Sequence, residues 1–311
     1  MTHRVLLAGA TGALGVPIVR QLLASGHAVT GITRTAQGAQ RLRALGADAV
    51  VADVMDRPGL LAAVAGQRAD AVLHELTALK KPPARHRDMD RTNALRTVGT
   101  THLLEVAREV GAGRFVTQSI VFGYGYRDHG SEVLTERFPF GRVEGNAFDV
   151  HVRAMASAED QAFQAEGIDG IALRYGLLYG DDAATVVTML RKWSLPVARR
   201  GGELAFVHHR DAAVATVAAL ERGRGGHAYN VVDDTPATFR ELVTAIAKQH
   251  HVPMPLVVPG PILKFAAPYG GAILADVSLV VSNAKARGEL GWTPAYPSFR
   301  DGIGSITPEG R

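Results

Sequence analysis

The sequence predicts a doubly wound α/β protein built on a parallel sheet, and three observations carry that prediction. Short apolar runs alternate with segments whose apolar residues recur at three and four positions; a glycine-rich turn joins the first run to the first such segment; and the alternation persists through the first two thirds of the 311 residues. Residues 5–8, 28–33, 49–52, 71–74, 114–118 and 170–174 read as strands, because each is a short, mostly apolar run of the kind a sheet buried on both faces requires. Residues 16–25, 37–45, 58–64, 93–110 and 151–166 lie between or before them and read as helices with one apolar face. Beyond Tyr175 the alternation weakens and proline becomes frequent, so Val252-Pro253-Met254-Pro255 and Val258-Pro259-Gly260-Pro261 read as loops over a smaller lobe. The predicted division is residues 1–175 and 204–232 for a nucleotide-binding domain, with 176–203 and 233–311 forming a substrate lobe.

Composition narrows the function classes. A hydrophobic fraction of 47% with 21% charged residues argues against disorder, and a net charge of +4 spread along the chain argues against a nucleic-acid partner. With no cysteine, disulfides, thiolate nucleophiles and sulfur-ligated zinc are excluded. The first strand begins within a few residues of Met1, leaving no room for a cleavable presequence, and no apolar run approaches the ~20 residues of a membrane span. The expectation is a cytoplasmic protein with no membrane partner that acts on a small molecule.

The turn Gly9-Ala10-Thr11-Gly12-Ala13-Leu14-Gly15 lies between strand and helix, where small residues admit a pyrophosphate and the helix start offers unpaired N–H groups. Gly9, Thr11, Gly12, Ala13, Leu14 and Gly15 are the expected phosphate contacts. The second strand ends in Thr33-Arg34-Thr35; an arginine there, with no acid, suits a ribose 2′-phosphate and favours NADP(H) over NAD(H). Asp53, with Val54, is placed to hold adenine, or Asp53 simply caps the next helix.

These features and several later ones resemble the extended short-chain dehydrogenase/reductases of the NAD-dependent epimerase/dehydratase group. The matching segments are Val72-Leu73-His74-Glu75-Leu76-Thr77, Asn93 through Gly99-Thr100 to Leu103-Leu104-Glu105, and Arg114-Phe115-Val116 leading to Ser119. Further matches are Leu173-Arg174-Tyr175-Gly176 to Tyr179-Gly180, Val207-His208 with Asp211, and Ser282-Asn283-Ala284-Lys285-Ala286 with Glu289-Leu290-Gly291-Trp292 to Pro294. The resemblance implies that Leu76, Thr77, Asn93 and Tyr175 line the cofactor, that the second lobe is discontinuous, and that the protein is a homodimer packed through its fourth and fifth helices.

It also implies a catalytic Tyr-x-x-x-Lys at the start of the fifth helix, and here the chain departs. Aligned on Ala158-Glu159, the tyrosine position holds His151 and the lysine position Met155. Three readings stand. His151 replaces the tyrosine as acid, since imidazole titrates near neutrality without a neighbouring lysine; or a tyrosine of Gly123-Tyr124-Gly125-Tyr126, Tyr124 first among them, is the acid with Ser119 as its partner; or no hydride moves and the protein is a lyase, an isomerase or a dinucleotide sensor. No G-x-S-x-G hydrolase elbow occurs, and His208-His209 and His250-His251 lack metal-ligand spacing, so no metal is expected. The basic stretch Lys80-Lys81-Pro82-Pro83-Ala84-Arg85-His86-Arg87 reads as a solvated loop; folded over the cleft, it would favour an anionic substrate.

Overall fold

A computed structural model describes residues 2–180 and 183–305. The amino-terminal half runs β1 (Arg4–Ala8), α1 (Gly15–Ala24), β2 (Ala28–Thr33), α2 (Ala36–Ala44), β3 (Asp48–Val51), α3 (Arg57–Val64) and β4 (Ala71–His74). It continues through α4 (Asp90–Ala94), a π-helical turn (Leu95–Gly99), α5 (Thr100–Val110), β5 (Arg114–Ile120), β6 (Asp128–Leu134), α6 (Asp149–Phe163) and β7 (Asp169–Tyr175). Then come β8 (Leu177–Tyr179), α7 (Ala183–Arg191), β9 (Val197–Ala198), β10 (Glu203–Leu204), β11 (Phe206–His208), α8 (His209–Arg222) and β12 (His227–Val231). The chain ends in β13 (Ala237–Thr238), α9 (Phe239–Gln249), β14 (Val257–Val258), α10 (Gly260–Ala266), α11 (Pro268–Asp276), β15 (Ser278–Val281), α12 (Ala284–Leu290) and α13 (Phe299–Gly302).

Seven strands form one sheet in the order β12-β7-β5-β4-β1-β2-β3, every neighbouring pair parallel. The order reverses beside β1 and β4, and such a switch point opens a crevice at the carboxyl ends of the strands. The sheet is covered on both faces. Val5 and Leu7 point into a core shared with α1, α8 and α12, which includes Trp292; Leu6 and Ala8 point into one shared with α3 and α5. This is the doubly wound fold that the sequence predicts.

Local chemistry sets the helix boundaries. Thr35 Oγ1 accepts the Gly38 N–H at 3.0 Å and Asp56 Oδ1 accepts the Gly59 N–H at 3.3 Å, starting α2 and α3. Gly111 closes α5 at φ 73°, a conformation that a side chain disfavours. The predicted helix over 93–110 starts earlier and is interrupted by a π turn, which side-chain periodicity does not reveal.

The predicted proline-rich loop at Val258 to Pro261 is instead structured. Val257–Val258 pairs with Val197–Ala198, and Pro261 falls in the first turn of α10, where its missing N–H costs nothing. The seventh strand, β12, is an element that the sequence reading did not pick out. A third core, around Phe206, Leu279, Ile246 and Tyr269, draws on both early and late residues, and β15 pairs with β6 across the same divide.

Candidate active site

The glycine turn forces its own residue types. Gly9 sits at φ +96°, and a Cβ there would lie 2.5 Å from the Glu75 carbonyl oxygen; a Cβ on Gly15 would lie 2.0 Å from the Gly9 carbonyl oxygen. Thr11, Gly12 and Ala13 are exposed, whereas Leu14 and Gly15 are buried against the sheet. Helix α1 has neither a side-chain cap nor an acid in its first turn, so its amino end is free to receive an anion. These features fit a pyrophosphate; the Gly12 N–H closes the turn on the Gly9 carbonyl at 2.9 Å, and the backbone N–H groups of residues 11 and 13–15 are the ones that would hold it.

Around this turn the other predicted cofactor residues take up distinct positions. Arg34 is exposed just past β2, between Thr33 and the cap of α2. Asp53 is exposed and accepts the Met55 N–H at 3.0 Å, while the Val54 carbonyl accepts from His102 Nδ1 at 2.8 Å. The Leu76 carbonyl accepts from Gln118 Nε2 at 2.5 Å, and Thr77 Oγ1 lies 3.4 Å from Thr92 Oγ1.

Tyr175 is buried and donates to Glu75 Oε1 at 3.1 Å, with Thr216 Oγ1 at 2.7 Å from its hydroxyl. Burial pushes the Glu75 carboxyl up to about 8, so it is protonated at neutral pH. A neutral acid beside the phosphate turn does not repel a dinucleotide.

The second group of residues gathers at the start of α6. His151 is fully buried, with Asn93 Nδ2 at 2.8 Å from its Nδ1 and His86 Nδ1 at 2.9 Å from its Nε2. The two imidazoles are separated by 5.2 Å between centroids and tilted by only 6°. With that nitrogen-to-nitrogen contact, the rings lie edge to edge in one plane rather than face to face. Donation from the Asn93 amide leaves the His151 proton on Nε2, where it is given to His86.

Tyr269 and Phe148 pack on both rings, and the Tyr126 hydroxyl meets that of Tyr269 at 3.0 Å. Burial first, then His86 and Arg96, depress His151 to about 4. The imidazole is therefore neutral at pH 7. The expectation of a histidine titrating near neutrality is corrected by its desolvated, cation-flanked surroundings. Met155, one turn along, is fully buried in the apolar core around Phe206 and Tyr269.

The remaining candidates lie outside this hydrogen-bonded chain. The Tyr124 hydroxyl donates to Asn230 Oδ1 at 2.8 Å and accepts from Arg174 Nη1 at 2.9 Å, and burial raises it to about 12. Ser119 is buried on β5 opposite Arg174 of β7, and its hydroxyl has no hydrogen-bond partner among the described residues. Of the tyrosine loop, it is Tyr126 that reaches the histidines.

The basic stretch is mostly exposed, as a solvated loop would be, with Pro83 and His86 half-buried. The Ala84 carbonyl accepts the Tyr269 N–H at 2.9 Å at the start of α11, and this seats His86 among the rings. His86, Tyr269 and Arg96 were missed by the sequence reading, since their chemistry arises only when distant elements meet. His208 caps α8 by accepting the Arg210 N–H at 3.1 Å, and His209 Nδ1 lies 2.7 Å from the Tyr179 carbonyl. Among the described residues no group of three or more histidine, aspartate or glutamate side chains is arranged to hold a metal, and no helix is long and apolar enough to cross a membrane.

Residues 5–232 match the model of the NAD dependent epimerase/dehydratase family. A 3-diazoavenalumate denitrifying reductase from a Streptomyces species is 37% identical over 97% of this chain and 99% of its own. A ketoreductase from Stigmatella aurantiaca, which acts on 4-hydroxy-2-methyl-3-oxo-4-farnesyl-3,4-dihydroquinoline-1-oxide, is 26% identical over 78% of this chain and 72% of its own. Among solved structures, the Bordetella bronchiseptica enzyme WbmH in complex with NAD+ superposes with a TM-score of 0.73 at 20% identity, covering 98% of both chains.

Proposed function

The chain belongs to the NAD-dependent epimerase/dehydratase family, and from that premise we propose that it is an NADP(H)-dependent reductase in which His151 serves a small-molecule hydride acceptor as hydrogen-bond donor. The observation that carries the proposal is the planar chain Asn93–His151–His86, at 2.8 and 2.9 Å. When bound, the dinucleotide supplies the hydride. The protein's part is to hold the Nε2 proton of a neutral His151 where negative charge develops on the acceptor. A substrate atom that takes the place of half-buried His86 receives that hydrogen bond.

Arg34 supports the preference for NADP(H), being exposed at the position where a 2′-phosphate would lie. Arg34→Ala is expected to weaken NADPH binding by about ten-fold and leave NADH within about two-fold, as read by fluorescence titration. Residues 1–175 with 204–232 form the dinucleotide domain in this reading, and the rest the substrate lobe. We also infer a cytoplasmic homodimer packed through α5 and α6, supported by exposed Val98 and Val150; sedimentation velocity tests it.

A specific observation favours one kind of acceptor. A histidine held neutral is a poor acid, and no ammonium accompanies it at Met155. A diazo group, named in the relative at 37% identity, needs little acid: an aryl diazonium takes hydride at its terminal nitrogen, and the resulting diazene releases dinitrogen and leaves an aryl C–H. The test is a single turnover with 4-deuterated NADPH on an aryl diazonium and on an aryl ketone. Deuterium in either product supports a reductase, and the faster substrate identifies the acceptor; no transfer to either, with cofactor bound, overturns the proposal in favour of a non-redox enzyme or a sensor. His151→Phe is expected to lower kcat on the aryl ketone, whose oxygen gains negative charge, by about a hundred-fold or more, to affect the diazonium less, and to leave NADPH affinity unchanged.

A further inference from the structure

The π turn between α4 and α5 carries Arg96, 95% buried, whose Nε and Nη1 have no hydrogen-bond partner among the described residues. Nor does a described carboxylate pair with it: burial works against its charged form, and the hydroxyls of Tyr126 and Tyr269 only partly oppose that. A guanidinium sealed in this way is costly, because desolvation is not offset by an opposite charge. Buried π turns of this kind recur at functional sites.

Two further observations identify what is missing. Arg96 lies one turn past Asn93, which holds His151 at 2.8 Å, and its charge acts on His151, Tyr126 and Tyr269, so its empty valences lie beside the site. The segment that leads to it, residues 80–96, carries six lysines and arginines against two aspartates, a surplus equal to the +4 of the entire chain. Positive charge is therefore concentrated on the segment that leads to Arg96.

We propose that Arg96 is the anion anchor of the substrate site and that its ligand is the carboxylate of an aromatic acid, the ring lying against the Tyr126, Phe148 and Tyr269 side chains. The fork of Nε and Nη1 presents two donors to the two carboxylate oxygens, and flat aromatic walls suit a flat ligand. This rests on the reading that the His151 cluster is the substrate site, but not on hydride transfer. An anion could also come from the dinucleotide, since Arg96 acts on His74 of β4 as well; the substrate is favoured because the other groups it acts on belong to the tyrosine loop, α6 and α11, and none belongs to the glycine turn itself.

The test uses the full chain with NADP+ bound and titrates trans-cinnamate against trans-cinnamamide by calorimetry. The wild type is expected to bind cinnamate at least about ten-fold more tightly, and Arg96→Met to remove that preference while NADPH affinity stays within about three-fold. Because the substitution removes an unpaired buried charge, the ligand-free variant is also expected to melt a few degrees higher than the wild type. A wild type that does not prefer cinnamate overturns the proposal. So does Arg96→Met that keeps the preference and melts lower, which assigns a structural role, or one that loses NADPH affinity instead, which assigns the guanidinium to cofactor phosphates. Arg96→Lys, which keeps the charge without the fork, is expected to retain part of the preference and provides the comparison should the methionine variant not fold. Cinnamate preference without any deuterium transfer would leave this anchor standing and remove the reductase.

Discussion

Glu75 sits where a hydrophobic side chain would raise no question: at the end of β4, its backbone pressed against Gly9, its carboxyl hydrogen-bonded to Tyr175 and one oxygen without a partner among the described residues. Its proton is retained in the folded protein up to about pH 8, against an ordinary value of 4.5. Between those values the folded state binds more protons than the unfolded one. The contribution to stability is therefore full below about pH 4.5, declines as pH rises, and is lost above about 8; Asp233, also raised to about 8 by burial, acts in the same direction. His74 and His151, both depressed to about 4 from 6.5, act oppositely: the unfolded chain binds the extra protons, so stability falls as pH drops through that window. Glu75→Gln keeps the shape and removes the titration. It is expected to raise the melting temperature relative to wild type at about pH 9 and to change it little at about pH 5, as measured by calorimetry.

At the scale of elements, α6 is the part on which the site depends. Its amino end supplies His151, and eight residues on Glu159 meets Arg174 of β7 through three hydrogen bonds of 2.6 to 3.2 Å, both side chains buried. The Arg174 guanidinium also lies 3.7 Å from the Phe140 ring centre and holds the Tyr124 hydroxyl. This network fixes the helix axially against the sheet, and with it the position of His151. Removing one member leaves a buried charge alone, so Glu159→Ala is expected to cost about 3–5 kcal/mol in urea unfolding.

Much of this was legible in the sequence where chemistry is local. The strand–glycine–helix succession located β1 and α1, and the helix carrying Ala158-Glu159 could be placed well enough to show that His151 stands in an unusual position. What the sequence did not reveal is tertiary. His86 lies 65 residues from His151 and belongs to a basic stretch that looks like solvated loop. Arg96, on a helix with regular apolar spacing, looks like any surface arginine until α6 and the second lobe close over it.

Across the whole molecule, late segments complete surfaces that early ones form. Leu290 and Trp292 lie in the core that backs β1 and β7; the Trp292 indole donates to the Asp211 carbonyl at 3.0 Å, and the Asp211 carboxylate accepts the N–H groups of Ala295 and Tyr296, each at 2.9 Å. Yet the sheet they cover is complete at Val231, about sixty residues earlier. On a ribosome adding ~5–20 residues per second, the apolar flank of α8 therefore waits roughly 3–12 s for its cover. A nascent chain in that interval has all seven strands and an unfinished surface, which makes it a client for chaperones. A chain ended at Asn283 makes the state permanent, and it is expected to co-purify with chaperones or to pellet, although every strand of its main sheet is present.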